Sequence, residues 1–298
     1  MTVTPLTMTA LATPLNEKGQ VDFEGFRKLV QHQMDAGLTH LLLLGSTGEA
    51  MLLEQDEKQK LIDYAMSIKG ISWWLGCLEA SLAKALTFLE STAHLPIQGY
   101  LLLTPYYIKP TQADIEHFFH SLLEASTHPC ILYNNPSRCS VNVSEETLSR
   151  FFSHPRFLGL KECDLNPLRV LRLRQKMSPK HYLLAGDDAH LPSALCSGAS
   201  GVISVLSNAF PQLARELVEN YGQDFRWAKL STHWLKGCQL IDSLGNPRGI
   251  KSLLSLILKT GLQLKAPLQP INELDLKKLK EQLLLTSLLQ SLSTKSLV

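Results

Sequence analysis

The sequence predicts a (β/α)8 barrel followed by a C-terminal helical extension, with a doubly wound open sheet as the alternative. Short apolar runs that suit buried strands alternate with segments of helical length, and eight such units can be counted. About 75 residues remain after the eighth unit, and their patterning is helical throughout. Strands that alternate with helices in this way form right-handed βαβ units and a parallel sheet.

The predicted strands begin near Met8, Thr39, Ser72, Gly99, Cys130, Phe157, Tyr182 and Gly201. Between them, apolar residues recur at helical spacing, as at Phe23, Phe26, Val30 and Met34. Polar residues suited to N-caps precede these helices, namely Asp22, Ser81, Thr111, Ser144 and Asn166, and glycines suited to helix ends follow two of them, at Gly37 and Gly70.

The final part of the chain is predicted to form helices over roughly 224–243, 247–260 and 272–290. No Gly/Ser-rich linker separates it from the preceding residues. We therefore expect a barrel over 1–222 and a helical extension over 223–298 that packs on the barrel. The last eight residues suit a frayed tail.

The composition argues against several classes of partner. Hydrophobic residues make up 45% of the chain and charged residues 19%, and the formal net charge is +2 without a basic block. Neither nucleic acid nor a membrane is therefore expected as a partner. The N-terminus lacks the pattern of a signal peptide, and no apolar run approaches the ~20 residues that span a bilayer. These features predict a cytoplasmic protein.

The cysteines and histidines give no sign of a metal centre. The six cysteines are scattered without a C-x-x-C pair, which is typical of reduced thiols. Cys163 follows Lys161 by two residues and is predicted to line the core or a pocket. The histidines lack the spacing of metal ligands, so neither a metal nor another bound cofactor is predicted.

Lys161 ends an apolar run that reads as the sixth strand. Read as a strand, Gly159 and Lys161 share one face, and Gly159 would leave space beside the lysine stem. Burial disfavours an ammonium group and yields the neutral amine that attacks carbonyls. The alternative is a lysine at a strand end that extends its ammonium group into water.

Other reactive side chains follow the predicted strands, at the end of a barrel where chemistry occurs. These segments are residues 45–49, 104–107, 133–138, 186–188 and 203–204. Together with Lys161 they supply hydroxyls, an arginine and glycine-bearing turns, which suit carbonyl chemistry on a carboxylate substrate. Taken singly, residues 45–49 could be only a tight turn and the tyrosines could belong to the core.

These segments read GSTGE, TPYY, YNNPSR, GLKE, AGDD and GVISV in that order. Over roughly residues 5 to 270, the chain resembles the dihydrodipicolinate synthase (4-hydroxy-tetrahydrodipicolinate synthase) family of pyruvate-dependent class I aldolases. The resemblance implies a lyase that uses a Schiff-base lysine and no metal. It implies the condensation of pyruvate with L-aspartate 4-semialdehyde to 4-hydroxy-tetrahydrodipicolinate, the first committed step of diaminopimelate and lysine biosynthesis.

The resemblance also implies a role for each matched residue. Lys161 forms the imine, and Tyr133 relays protons in a hydroxyl relay with Tyr107 and Ser46, which stands where the family usually has threonine. Thr47 and the backbone around it hold the pyruvate carboxylate, in a pocket lined by Gly186 and Ile203, and Arg138 holds the carboxylate of the aldehyde. The tyrosine matched by Tyr107 reaches into a neighbouring subunit, which implies a homodimer or homotetramer.

Two other functions remain open at this stage. One is a related pyruvate-dependent aldolase, of the N-acetylneuraminate lyase or 2-keto-3-deoxy sugar acid aldolase type. Arg138 and the hydroxyl set of Ser46, Tyr107 and Tyr133 argue against it. The other is a barrel that only binds small acids, and the presence of Lys161 and Tyr133 together argues against that, since binding alone needs neither.

The chain departs from the family pattern in ways that bear on regulation and assembly. The PSR segment is followed by Cys139-Ser140 in place of Thr-Gly, and residues 76–80 and 246–251 also differ. At the positions matched to the lysine-binding pocket of feedback-sensitive members only Tyr106 is retained, the others being Ala50, Gln55, Lys58, Ala80 and Lys84. We therefore expect weak or absent inhibition by lysine.

Overall fold

The computed structural model describes residues 3–164, 166–222, 224–286 and 288. Its strands are Leu6–Ala10 (β1), His40–Leu43 (β2), Ser72–Cys77 (β3), Gly99–Leu103 (β4), Cys130–Asn134 (β5), Phe157–Glu162 (β6), Tyr182–Ala185 (β7) and Gly201–Ser204 (β8). They follow one another in chain order around a closed barrel. The predicted (β/α)8 barrel is confirmed, and the open-sheet alternative is wrong.

The helices of the first half are Phe23–Asp35 (α1), Gln55–Ser67 (α2), Leu82–Thr92 (α3), Gln112–Ala125 (α4), Pro136–Cys139 (α5) and Glu145–Ser149 (α6). Those of the second half are Pro167–Lys176 (α7), Leu191–Cys196 (α8), Pro211–Glu219 (α9), Asp224–Asp242 (α10), Arg248–Leu258 (α11) and Glu273–Leu285 (α12), with a 3-10 turn at Leu206–Asn208.

The helix boundaries follow the predicted capping chemistry. The side chains of all five predicted N-caps accept a backbone N–H from the first turn of their helices, which satisfies a donor that the helix leaves free. After α1 and α2, Gly37 and Gly70 have φ values of 77° and 82°, a region that favours glycine.

By their internal packing the residues form two compact units, Met1–Leu6 with Ser72–Ile203, and Thr7–Ile71 with Ser204–Val298. In the first unit, β4 to β7 pair in parallel, and Tyr133 of β5 lies opposite Lys161 of β6. The proposed division of the chain at residue 222 stays a prediction.

The second unit contains β1 and β2, which pair in parallel, and the helices from α9 onward. The helices α10, α11 and α12 match the three predicted C-terminal helices closely, and Lys277, Lys278 and Lys280 of α12 are exposed. Part of the predicted end of that helix and the tail 291–298 lie outside the described residues. No helix in the described part of the chain has both the length and the apolar character needed to cross a membrane.

Candidate active site

Lys161 lies near the end of β6 with its side chain buried against Tyr133. Only 4% of the residue is exposed, and its Nζ atom lies 4.3 Å from the centroid of the Tyr133 ring. The parallel register places the two residues directly opposite each other, so their side chains point to the same face of the sheet. A lysine so deeply buried is rare unless it is paired or functional.

The surroundings of Lys161 favour its neutral form. Burial lowers the pKa of Lys161, because an ammonium group loses its hydration there, and the charge of Arg138 lowers it further. Cys163, Asp188 and Asp187 act in the opposite direction, but burial is the larger effect. The predicted nucleophilic amine is therefore consistent with the electrostatics of the site.

Gly186, the first residue after β7, makes room for the lysine stem. A Cβ atom at position 186 would lie 3.0 Å from both Cγ and Cε of Lys161 and would overlap the Sγ atom of Cys163. The prediction that Gly159 leaves space beside Lys161 is wrong. A Cβ atom at position 159 would instead collide with the backbone of Tyr182 in β7.

Cys163 completes the packing around Lys161. It lines a cavity beside β6 and β7, so its predicted place in a pocket is confirmed. Burial raises the pKa of the Cys163 thiol to about 12, and the group therefore stays a thiol at neutral pH. A thiol is a much weaker nucleophile than a thiolate, so Cys163 does not compete with the predicted role of Lys161.

Tyr133 is held by Asn135, a residue that the sequence pattern did not identify. The Asn135 Nδ2 atom donates a hydrogen bond of 2.8 Å to the Tyr133 hydroxyl oxygen. Burial raises the pKa of Tyr133, so the hydroxyl keeps its proton. Because its oxygen accepts a bond from Asn135, that proton points away from Asn135, and the Cys163 sulfur lies within its hydrogen-bonding reach.

Arg138 belongs to the short helix α5, which starts from the same asparagine. The Asn135 Oδ1 atom accepts hydrogen bonds from the Arg138 N–H (3.2 Å) and the Ser137 hydroxyl (2.8 Å). One side chain thus links the Tyr133 hydroxyl to the segment that carries Arg138. The Arg138 side chain itself is exposed, which leaves its guanidinium group accessible to an anion.

Tyr107 lies in a strained turn and points into solvent. Its φ is 72°, unusual for a residue with a large side chain, and the Ile108 N–H bonds to the Tyr106 carbonyl across it (2.9 Å). The residue is 90% exposed and Ile108 is 65% exposed. Local backbone strain of this kind is concentrated at functional sites.

In the second unit, the predicted anion-binding segment forms a turn after β2, here called the 45–49 turn. Thr47 is buried and its Oγ1 accepts a hydrogen bond of 3.1 Å from Asn246 Nδ2. Ser46 is half-buried. The backbone reaches a left-handed conformation at Glu49, with a φ of 57°.

The 45–49 turn is tied to the C-terminal helices by a buried ion pair. Lys251 Nζ lies 2.6 Å from Glu49 Oε1, and the two side chains are 2% and 1% exposed. The other oxygen of Glu49 accepts the Lys265 backbone N–H at 2.7 Å. Neither contact is evident from the local sequence, since the partners lie about 200 positions apart.

Ile203 lies in β8 and is buried, and its role in lining the substrate pocket stays a prediction. Among the described residues, no group of three or more Cys, His, Asp and Glu side chains could hold a metal ion. The candidate site residues of the first unit include the amine of Lys161, the phenol of Tyr133 and the guanidinium group of Arg138.

The sequence profile of the dihydrodipicolinate synthetase family matches residues 6–285 of the chain. The chain belongs to this family. The resemblance seen in the motifs is confirmed, and so is the prediction that this member of the dihydrodipicolinate synthetase family is an enzyme, a lyase of the class I aldolase type.

Individual members of the dihydrodipicolinate synthetase family are similar to this chain along most of their length. The 4-hydroxy-tetrahydrodipicolinate synthase of Chlamydia pneumoniae is 36% identical over 272 residues, which cover 90% of this chain and 91% of that protein. The solved structure of the synthase from Methylacidiphilum fumariolicum SolV is 31% identical, with a TM-score of 0.89 over 94% of both chains. A dihydrodipicolinate synthase described as the first monomeric variant also has a TM-score of 0.89, at 29% identity over 94% of this chain and 96% of that one.

Proposed function

We propose that this protein condenses pyruvate with L-aspartate 4-semialdehyde to give 4-hydroxy-tetrahydrodipicolinate, the first committed step of diaminopimelate and lysine biosynthesis. The observation that carries the proposal is the buried Lys161, whose pKa is lowered by burial and whose Nζ atom lies against Tyr133. Membership of the dihydrodipicolinate synthetase family supports the choice of substrates.

The first step is the formation of an imine. The neutral amine of Lys161 attacks the ketone carbon of pyruvate, and the resulting carbinolamine loses water. The protonated imine withdraws electrons, so a proton leaves the methyl group and an enamine forms. Tyr133, held in place by Asn135, is the proposed proton carrier: its hydroxyl gives its proton to the hydroxide that leaves the carbinolamine as water, and the resulting phenolate then takes the methyl proton.

The second step forms the new carbon–carbon bond. The enamine carbon attacks the aldehyde carbon of L-aspartate 4-semialdehyde, whose carboxylate pairs with the guanidinium group of Arg138. The aldehyde oxygen takes a proton and becomes the hydroxyl group of the product. The amine of the substrate then displaces the amine of Lys161 at the imine carbon, which closes the six-membered ring and frees the enzyme.

The remaining residues have binding and relay roles in this proposal. Thr47 and the backbone of the 45–49 turn bind the pyruvate carboxylate, and Ser46 and Tyr107 extend the proton relay. Gly186 allows the close packing of Lys161, and Ile203 contributes apolar lining. The proposed active form is a homodimer or homotetramer, in which Tyr107 serves a neighbouring subunit.

Reductive trapping tests the proposal directly. Borohydride added together with pyruvate should inactivate the protein and leave one adduct, on the peptide that contains Lys161. Lys161→Ala should abolish trapping, and so should Lys161→Arg, which keeps the charge but offers no usable nucleophile at neutral pH. An adduct on another lysine would contradict the assignment. Turnover with sugar-derived aldehydes in place of aspartate semialdehyde would contradict the substrate.

A further inference from the structure

We propose that Asn246, in the C-terminal part of the chain, is a positioning residue that turns the Thr47 hydroxyl into a hydrogen-bond donor for the substrate carboxylate. The inference rests on the proposed role of Thr47 in binding pyruvate. It assigns to the segment that precedes α11 a part in substrate binding as well as in packing.

The argument starts from the chemistry of a hydroxyl group. A threonine hydroxyl has one proton to donate and accepts bonds at its oxygen. Asn246 Nδ2 donates to the Thr47 oxygen over 3.1 Å, and an amide NH2 group cannot accept a bond in return. The Thr47 proton therefore points away from Asn246. Thr47 is 1% exposed, so that proton needs an acceptor, and a carboxylate oxygen is the strongest one available from a substrate.

Hydrogen bonds hold the rest of the 45–49 turn in place, so the Thr47 hydroxyl has one defined orientation. The Thr13 hydroxyl donates to the Gly48 carbonyl oxygen over 2.7 Å, and Glu49 is held by Lys251 and by the backbone of Lys265. Lys251 lies in the first turn of α11, directly after the segment that contains Asn246. The backbone of the turn and the direction of the Thr47 proton are thus set by one stretch of chain.

Asn246 donates to Thr47 through its amide nitrogen, while its amide oxygen lacks a hydrogen bond within the described part of the chain. The Oδ1 atom of Asn246 is buried and has no hydrogen-bond partner among the residues that the structure describes. A buried polar atom without a partner is unfavourable for stability. Asn246 is therefore poorly explained as a stabilising residue, and its value lies in the group to which Nδ2 donates.

Two substitutions test the proposal in the full-length protein. Asn246→Ala removes the donor. Asn246→Asp keeps the shape but can only accept, so the Thr47 proton turns toward position 246 and is lost to the substrate. We measure the rate of borohydride trapping against pyruvate concentration. The half-saturating pyruvate concentration should rise about tenfold in Asn246→Ala and further in Asn246→Asp, since a bond to a charged group is lost. The trapping rate at saturating pyruvate should change less than twofold.

A double-mutant cycle separates this role from a structural one. Thr47→Val removes the hydroxyl and keeps the shape of the side chain. If Asn246 acts through Thr47, then Asn246→Ala should raise the half-saturating concentration no further in the Thr47→Val protein. Asn220→Ala is the matched control, because Asn220 also donates one amide bond, to the Glu216 carbonyl (2.7 Å), far from the turn in sequence. It should leave the pyruvate dependence unchanged.

The outcomes are distinguishable. An unchanged half-saturating concentration in both Asn246 variants, or equal effects with and without the Thr47 hydroxyl, would overturn the positioning role while imine formation by the unmodified protein still stands. A variant that unfolds is recognised by its melting temperature, and the other substitution then decides. If the unmodified protein forms no imine with pyruvate, the proposed function itself fails.

Discussion

The reactivity of Lys161 depends on how far burial lowers the pKa of its amine. The folded protein lowers the pKa of Lys161 from its ordinary value of 10.5, so the unfolded chain binds more protons at this residue. The contribution of Lys161 to the free energy of unfolding therefore rises with pH, until the pH exceeds the ordinary value. At a pH below the lowered pKa, folding buries a charged ammonium group, which lowers the free energy of unfolding. The protonated amine is also no longer a nucleophile.

Imine formation should follow this titration. The rate of borohydride trapping at fixed pyruvate should rise with pH and level off at a pH below 10.5. Because the charge of Arg138 helps to lower the pKa of Lys161, Arg138→Ala should move the midpoint to higher pH. A midpoint at the ordinary value would show that burial does not act on the amine.

Arg138 should also affect the binding of only one of the two substrates. Arg138→Ala should raise the KM for the aldehyde by about tenfold or more, because only the second substrate loses its charged partner. The KM for pyruvate should change much less. Arg150→Ala is the control, since Arg150 is likewise exposed but pairs with Glu116 on the protein surface. Steady-state kinetics with each substrate varied in turn give the answer, and a selective effect on pyruvate would contradict the role of Arg138.

The sequence could identify the residues whose function is visible in their own motif, such as Lys161 and Arg138. It could not identify Asn135 as the partner of Tyr133, because an asparagine before a proline is equally common as a simple helix cap. Gly186 was identified as pocket lining. The sequence could not show that a Cβ atom at this position would collide with the Lys161 stem, because that depends on the register of two strands that lie apart in the sequence.

At the scale of elements, α5 ends on a residue that is conformationally costly. Ser140 has a φ of 57°, where a Cβ atom is disfavoured by roughly 1 kcal/mol. The family pattern has glycine at this position. Ser140→Gly should therefore stabilise the protein, and a thermal melt should shift upward by about 1–3 °C. Ser137→Gly, inside the same helix, should do the reverse, since glycine destabilises a helix interior. A lower melting temperature for Ser140→Gly would contradict this account.

Element positions were predictable because strands and caps leave local signals. Seven strands start within one residue of the prediction, and β1 starts at Leu6, two residues before the predicted Met8. The short helices α5 and α8 lacked the signal of apolar spacing. Each has six residues or fewer, too few to show the repeated apolar spacing that identifies a helix.

At the scale of the whole molecule, the exposed Tyr107 bears on assembly. We expect Tyr107→Phe to slow turnover and Lys161→Ala to abolish it. If Tyr107 serves a neighbouring subunit, mixing and subunit exchange of the two variants should restore part of the activity, because some sites then combine a normal Tyr107 with a normal Lys161. Light scattering should show at least a dimer. A monomer of full activity would contradict the crossing role.

Regulation is a second property of the whole molecule. Millimolar lysine should barely reduce the initial rate, since Lys84 replaces the acidic residue expected to meet the ligand's amino group and would repel it. Lys84 lies exposed in α3. Burial raises the pKa of Tyr106, and the charge of Glu79 raises it further. A lysine titration of the initial rate checks the expectation, and strong partial inhibition at low lysine would show that the pocket survives in another form.

The ties between the 45–49 turn and the C-terminal helices have a consequence for the timing of synthesis. The partners of Thr47 and Glu49 are separated from them by 199, 202 and 216 positions. At a translation rate of about 5–20 residues per second, the turn waits roughly 10–40 s for those partners to be made. During that interval a growing chain already contains Lys161 and Tyr133, and its turn is held by its own backbone hydrogen bonds and by Thr13 but lacks the contacts to Asn246, Lys251 and Lys265. Substrate binding is then among the last properties that a nascent chain acquires.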